Sequence, residues 1–144
     1  MKVFRLINMM MKKKKICKMK TLSIAETPNT PTVRFDGKTG VLEIKGRSIT
    51  ENALEFYRVL VEWLNEYSKN PQTKTVLNIY LVYFNTSTSK FLLDVFKTLE
   101  RIQKNGQEAS VNWFYDEDDE DMMECGYDYD SIIKVPFKMI EVIS

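Results

Sequence analysis

The chain contains no histidine. That absence excludes a Ser-His-Asp or Cys-His nucleophile, imidazole ligation of zinc and a phosphohistidine relay. Catalysis would have to rest on paired carboxylates or on lysine. Cysteine is almost as scarce. Cys17 and Cys125 cannot make a disulfide framework, and they read as reduced thiols of a cytosolic protein. No apolar run is long enough to cross a bilayer.

What is present suits one domain with one core. There are 144 residues, 44% apolar and 12% aromatic. The net charge of +1 conceals an asymmetry. Residues 1–20 carry eight basic side chains (Lys2, Arg5, Lys12, Lys13, Lys14, Lys15, Lys18, Lys20) and no acid. The remainder carries 13 basic and 20 acidic residues, a net charge of −7. A surface of that sign repels a phosphate backbone, so nucleic acid is not an expected partner.

Residues 1–20 are foreign to the rest. A basic arm for anionic surfaces is one reading. A signal peptide is another, but its apolar stretch precedes the lysines, the wrong order. The composition favours a third, a natural start at Met19 with a disordered or mis-assigned extension before it.

From Thr21 the pattern is regular. Pro28 and Pro31 punctuate an extended lead-in. Thr32 to Asp36 alternates, Gly37 to Gly40 makes a tight turn, and a second strand ends at Gly46: a β-hairpin. Ser48-Ile49-Thr50-Glu51 has the form of a capping box. Ala53, Phe56, Tyr57, Leu60, Val61, Leu64 and Tyr67 then mark an amphipathic helix. Thr75 to Phe84 reads as a central strand covered on both faces. Phe91, Leu92, Val95, Phe96, Leu99 and Ile102 mark a second helix. Ala109 to Tyr115 is a further strand. The charged segment from Asp116 opens a short third helix, and Pro136 to Val142 is a last strand. The order β-β-α-β-α-β-α-β predicts an α/β fold: a mixed sheet of about five strands with three or so helices.

Three features bear on chemistry. Asn85-Thr86-Ser87-Thr88-Ser89-Lys90 lies where a central strand gives way to a helix, the usual place for ligand and regulatory sites in such sheets. Its hydroxyls suit helix capping, and they equally suit a kinase, since a phosphate there meets the helix N-terminus. The acidic run Asp116 to Asp121, with Glu124, Asp128 and Asp130, offers oxygen ligands for Mg²⁺ or Ca²⁺. Yet Asp121 stands where an EF-hand loop needs glycine, and a docking surface for a basic partner fits as well. Tyr80, Tyr83, Phe84, Trp113, Phe114 and Tyr115 are core aromatics, some of them rimming a partner site. No pair of carboxylates is singled out for hydrolysis. The competing functions are thus a binding module and a small divalent-metal protein or enzyme using residues 116–130.

Four stretches carry a resemblance: Pro31 to Asp36, Gly46 to Asn52, Tyr83 to Lys90, and Trp113 to Met122. In that order they resemble the SiaC family of bacterial regulatory phosphoproteins, over about residues 21–142. The resemblance implies a non-enzymatic single domain, 21–144, with a fold similar to the STAS domains of anti-anti-sigma factors. It implies no cofactor. It implies three partners: an anti-sigma-type serine/threonine kinase, a metal-dependent phosphatase, and an effector such as a diguanylate cyclase bound by the unphosphorylated form. It places the phosphoacceptor at Thr86, directly after Asn85, with Ser87, Thr88 and Ser89 as secondary acceptors. Partner contacts are expected at Asn85, Thr86, Ser87, Lys90, Tyr115, Asp118, Asp119 and Asp121.

Overall fold

The computed structural model describes residues 21–144, so the basic segment 1–20 and its reading as a late start lie outside the described residues. The described chain forms strands β1 (Leu22–Ile24), β2 (Thr32–Asp36), β3 (Val41–Ser48), β4 (Lys74–Phe84), β5 (Glu108–Asp116) and β6 (Phe137–Val142). Its helices are α1 (Ala53–Lys69), α2 (Thr86–Lys104) and α3 (Glu120–Ile132). The strands make one six-stranded sheet whose spatial order is the chain order. β1, β2 and β3 pair antiparallel; β3 to β6 pair parallel. This is the mixed α/β arrangement the strand and helix order predicts. β1 is an addition: the lead-in before Pro28 pairs with β2, Leu22 against Phe35 and Ile24 against Val33.

Three helical crossovers step the same way across the sheet. When each is right-handed, all three helices fall on one face. The burial follows that rule. Leu42, Ile44, Leu77, Ile79, Leu81, Val111 and Trp113 lie buried beneath the helices. Neighbouring residues Glu43, Asn78, Tyr80, Asn112 and Phe114 point the other way and are only half-buried. The expectation that β4 is covered on both faces is therefore corrected. Its apolar run arises because Val76, Tyr80 and Val82 suit an uncovered pleat as well as a buried one.

The helices dock as their periodicity requires. α1 buries Tyr57, Leu60, Leu64 and Tyr67. α2 buries Leu92, Val95, Phe96, Leu99 and Ile102. Each such side chain contributes about 1.5–3 kcal/mol of burial, enough to fix the rotation of both helices. The β2–β3 turn closes through Gly40, at φ 78°, whose N–H donates to Asp36 O at 2.9 Å. Backbone hydrogen bonding from Lys38 holds the Asp36 carboxyl below its usual pKa.

Two local readings change. The capping box does not form at Ser48. β3 continues through Gly46 to Ser48, and α1 begins after Asn52, whose side-chain Nδ2 donates to Glu55 Oε2 at 2.8 Å. That contact joins two side chains, and no side chain caps the backbone at the start of α1. The third helix is also longer than its acidic start suggests, 13 residues, because Met122 and Tyr129 anchor it to the core.

Gly126 of α3 packs directly against Trp113 of β5 and Met139 of β6. A Cβ there would lie 2.6 Å from both Trp113 Cδ1 and Met139 Cε. Gly126→Ala is expected to destabilise the fold by about 1–3 kcal/mol through overpacking, measured by urea unfolding. An unchanged midpoint would show that α3 can slide away without cost.

Candidate functional site

In parallel β3, β4 and β5 the carboxyl ends lie on one edge of the sheet. The helices return antiparallel to the strands, so the starts of α1, α2 and α3 gather on that same edge. Each helix start presents unpaired N–H groups and a partial positive charge. Asn85 stands at the centre. Its backbone is extended at φ −92°, ψ 173°, which ends β4 and starts α2. Its N–H donates to Ser48 O at 3.1 Å. Its Oδ1 accepts from Thr88 N at 3.1 Å, an N-cap made by the asparagine.

Beneath this cap is a chain of buried hydroxyls. Ser48 Oγ lies 2.7 Å from Tyr57 Oη and 2.8 Å from Thr88 Oγ1. Thr88 Oγ1 also lies 2.9 Å from Asn85 Oδ1 and 3.0 Å from Ser48 O. Each hydroxyl has one proton, which orders the contacts. Tyr57 donates to Ser48, Ser48 donates to Thr88, and Thr88 donates to Asn85 Oδ1 or to the Ser48 carbonyl. Ser48, Tyr57 and Thr88 are fully buried. Burial pushes the Tyr57 phenol up to about 12 against the opposing hydrogen bonds from Ser48 and Thr88. From the other side, Tyr129 of α3 donates to Ser89 O at 2.9 Å, and burial also raises its pKa.

The hydroxyl cluster is thereby sorted. Thr86 and Ser87 are exposed, Ser89 is half-buried with its Oγ donating to Thr86 O at 2.6 Å, and Lys90 is exposed. Thr88, expected as a secondary acceptor, is fully buried with its hydroxyl against Ser48 Oγ, Ser48 O and Asn85 Oδ1. Capping and accessibility belong to different residues, Asn85 and Thr86.

The acidic segment follows β5 on the same edge. Asp119 caps α3, its Oδ1 accepting from Met122 N at 3.0 Å. Asp116 accepts from the Tyr80 phenol, and this interaction raises the Tyr80 pKa. Asp118 and Asp121 are exposed. Among the described residues no three carboxylate or thiol side chains converge as metal ligands. Tyr115 sits on the β6 side of β5, where desolvation, then Glu141 and Tyr127, raise its pKa. Trp113 is core, its indole N–H donating to Met122 O at 3.1 Å. Phe84 is half-buried against it. Sequence reasoning missed Ser48, Tyr57 and Tyr129. Tyr57 reads as part of the apolar stripe of a helix, Ser48 reads as a cap, and no motif singles out Tyr129; their burial next to Thr88 and Ser89 reveals what they share.

With that geometry, comparison with known proteins places the chain. The family model for the SiaC family regulatory phosphoprotein matches residues 24–142. The chain belongs to the SiaC family, and it is a regulatory protein rather than an enzyme. A protein of Pseudomonas aeruginosa strain UCBPP-PA14 is 29% identical over 119 residues, covering 83% of this chain and 94% of that relative. The crystal structure of apo-SiaC from Pseudomonas aeruginosa superposes with a TM-score of 0.78 at 28% identity, over 85% of this chain and 99% of that one. SiaC in the crystal structure of the diguanylate cyclase SiaD with its activator SiaC, also from Pseudomonas aeruginosa, gives 0.80 at 28% identity, over 84% of this chain and 99% of that one.

The relay carries a pH signature. Tyr57 has a raised pKa in the fold and an ordinary one near 10 when unfolded, so the folded state holds its proton more tightly. Its stabilisation is complete below pH ~10 and is lost as pH rises toward ~12. Urea unfolding at pH 9 to 11 is expected to show stability falling with pH. In Tyr57→Phe that fall is expected to be shallower, and an identical slope would show that Tyr57 is not the group that titrates.

Proposed function

We propose that this chain is the phosphorylation-controlled subunit of a partner-switching pathway, with Thr86 as the phosphoacceptor. In its unphosphorylated form it binds and regulates a diguanylate cyclase. An anti-sigma-type serine/threonine kinase adds the phosphate and a metal-dependent phosphatase removes it, all in the cytoplasm. The observation that carries the reading is Thr86 itself. It is exposed at the first position of α2, directly after the asparagine that caps the helix. The solved complex of SiaD with its activator SiaC supports a cyclase as the effector. Among the described residues no helix is long and apolar enough to cross a membrane.

Physical chemistry gives the switch its form. A phosphate adds roughly −1.5 to −2 charges at neutral pH. At the first turn of a helix that charge is favourable to the fold, so α2 is not expected to melt. In a contact packed against this edge, already lined by Asp118, Asp119 and Asp121, the same charge adds repulsion and desolvation. Binding is lost while the structure stays.

Thr86→Ala is therefore expected to bind the cyclase like the unmodified chain. Thr86→Asp and Thr86→Glu are expected to weaken binding about tenfold or more, which is about 1.4 kcal/mol. Pull-down and calorimetry with the purified proteins check this, and equal affinity for all three would sink the assignment. Kinase treatment followed by mass spectrometry is expected to place the phosphate on Thr86 and none on Thr88.

A further inference from the structure

From Thr75 to Leu93 the chain carries one charged side chain, Lys90. It stands on α2 four residues after Thr86, so the two lie one turn apart on the same side of the helix. α2 turns Thr88, Leu92, Val95, Phe96 and Leu99 into the core. Thr86 and Lys90 are exposed on its outer side. Among the described residues Lys90 forms no ion pair.

A phosphate on Thr86 meets few other partners. The Thr88 N–H is held by Asn85 Oδ1 at 3.1 Å, and the Ser89 N–H by Asn85 O at 3.3 Å. Neighbouring elements bring negative charge to this end of α2. Ahead of α1, exposed Glu51 follows Thr50, whose carbonyl accepts from Asn85 Nδ2 at 3.4 Å. On α3, exposed Asp128 and Asp130 flank Tyr129, which donates to Ser89 O. Two other cations come into question. Arg47 of β3 alternates with buried Ser48 and so faces the open side of the sheet. Arg58 of α1 belongs lower down. Arg101 Nη2 of α2 donates to Asn65 Oδ1 of α1 at 2.7 Å, and the two helices run the same way. Seven residues back along each, Arg58 stands level with Asp94, one turn beyond Lys90.

We propose that Lys90 is the counter-ion of the phosphate on Thr86 and holds it on the outer side of α2. The phosphate brings roughly −1.5 to −2 charges, more than the carboxylate of Asp94. An anion one turn before a lysine is also better placed than one a turn after it. Both comparisons favour the phosphate over Asp94, which has Arg58 beside it. The inference rests on the Thr86 reading above and deepens it. Modification then alters two charges of the edge at once. It adds the phosphate, and it engages the only charged side chain in the first two turns of α2. A partner that meets Lys90 in the unmodified form loses that contact as well as meeting the phosphate.

The test uses the full chain with phosphothreonine placed at position 86 by genetic encoding, titrated by phosphorus NMR at low salt. A cation beside the phosphate favours its dianion, so Lys90→Gln is expected to raise the second phosphate pKa by about 0.3 or more. Lys90→Arg is expected to keep it in place, and added salt to shrink the difference. Thermal unfolding runs in parallel. Lys90→Gln is expected to lower the Tm of the phosphorylated chain and to leave that of the unmodified chain unchanged. A phosphate pKa unmoved in Lys90→Gln, or raised as much by Arg47→Gln or Arg58→Gln, overturns the proposal. So does a Tm lowered equally with and without the phosphate, the mark of a merely structural lysine. Kinase treatment that puts the phosphate elsewhere, with the titration as expected, removes the switch and leaves the pair standing. Phosphorylation of Thr86 by the kinase, with no effect of Lys90→Gln on the titration, removes the pair and leaves the switch.

Discussion

The hydrogen-bonded line from Tyr57 through Ser48 and Thr88 to Asn85 is the contact on which the edge of this molecule depends. It joins four elements at one place: the end of β3, the body of α1, the end of β4 and the first turn of α2. Every buried side-chain polar atom among the described residues has a partner. A network so satisfied is rigid, whereas a half-satisfied one would cost about 1–3 kcal/mol for each orphaned group. Apolar residues of the same shape could often fill such a space at no loss of stability. What the hydroxyls add is direction. They fix where β4 stops and α2 starts, and so where Thr86 stands.

The second constraint is the one-sided cover of the sheet. Because all three crossovers run the same way, the helices share one face and their starts share one edge. That leaves three kinds of surface. The helix side is core. The edge collects helix N-termini and the acidic segment. The opposite face displays a polar row, Glu43, Asn78, Asn112 and Lys138 in register across four strands, in which Asn112 Nδ2 donates to Asn78 Oδ1 at 2.9 Å. Next to it runs an aromatic row of Tyr80 and Phe114, stacked at 6.1 Å. The bulge at Val82 sits near the end of β4, shortly before Thr86 opens α2.

Much of the fold was legible in order and type. The apolar stripes of α1 and α2 stand where their 3.6-residue period puts them, and the alternation of Val33 and Phe35 marks β2. Position was less legible where two chemistries share one residue type. Ser48 looked like a helix cap because serine commonly caps, yet its side chain is sealed between Tyr57 and Thr88. The run from Thr75 to Phe84 looked doubly buried because a partly exposed strand uses the same valines and tyrosines. β1 escaped notice because three residues are too few to show a period.

By itself the sequence determined which elements form, their order, the acidic character of residues 21–144 and the motif that contains Thr86. Those properties are local or additive, set by period, turn residues and charge count. Only the tertiary structure decided which hydroxyl of Thr86, Ser87, Thr88 and Ser89 is sealed and which are open. It alone set the shared edge of three helix starts and the outward turn of Val82 and Tyr83. These depend on strand register and crossover direction, and therefore on residues tens of positions apart meeting in space.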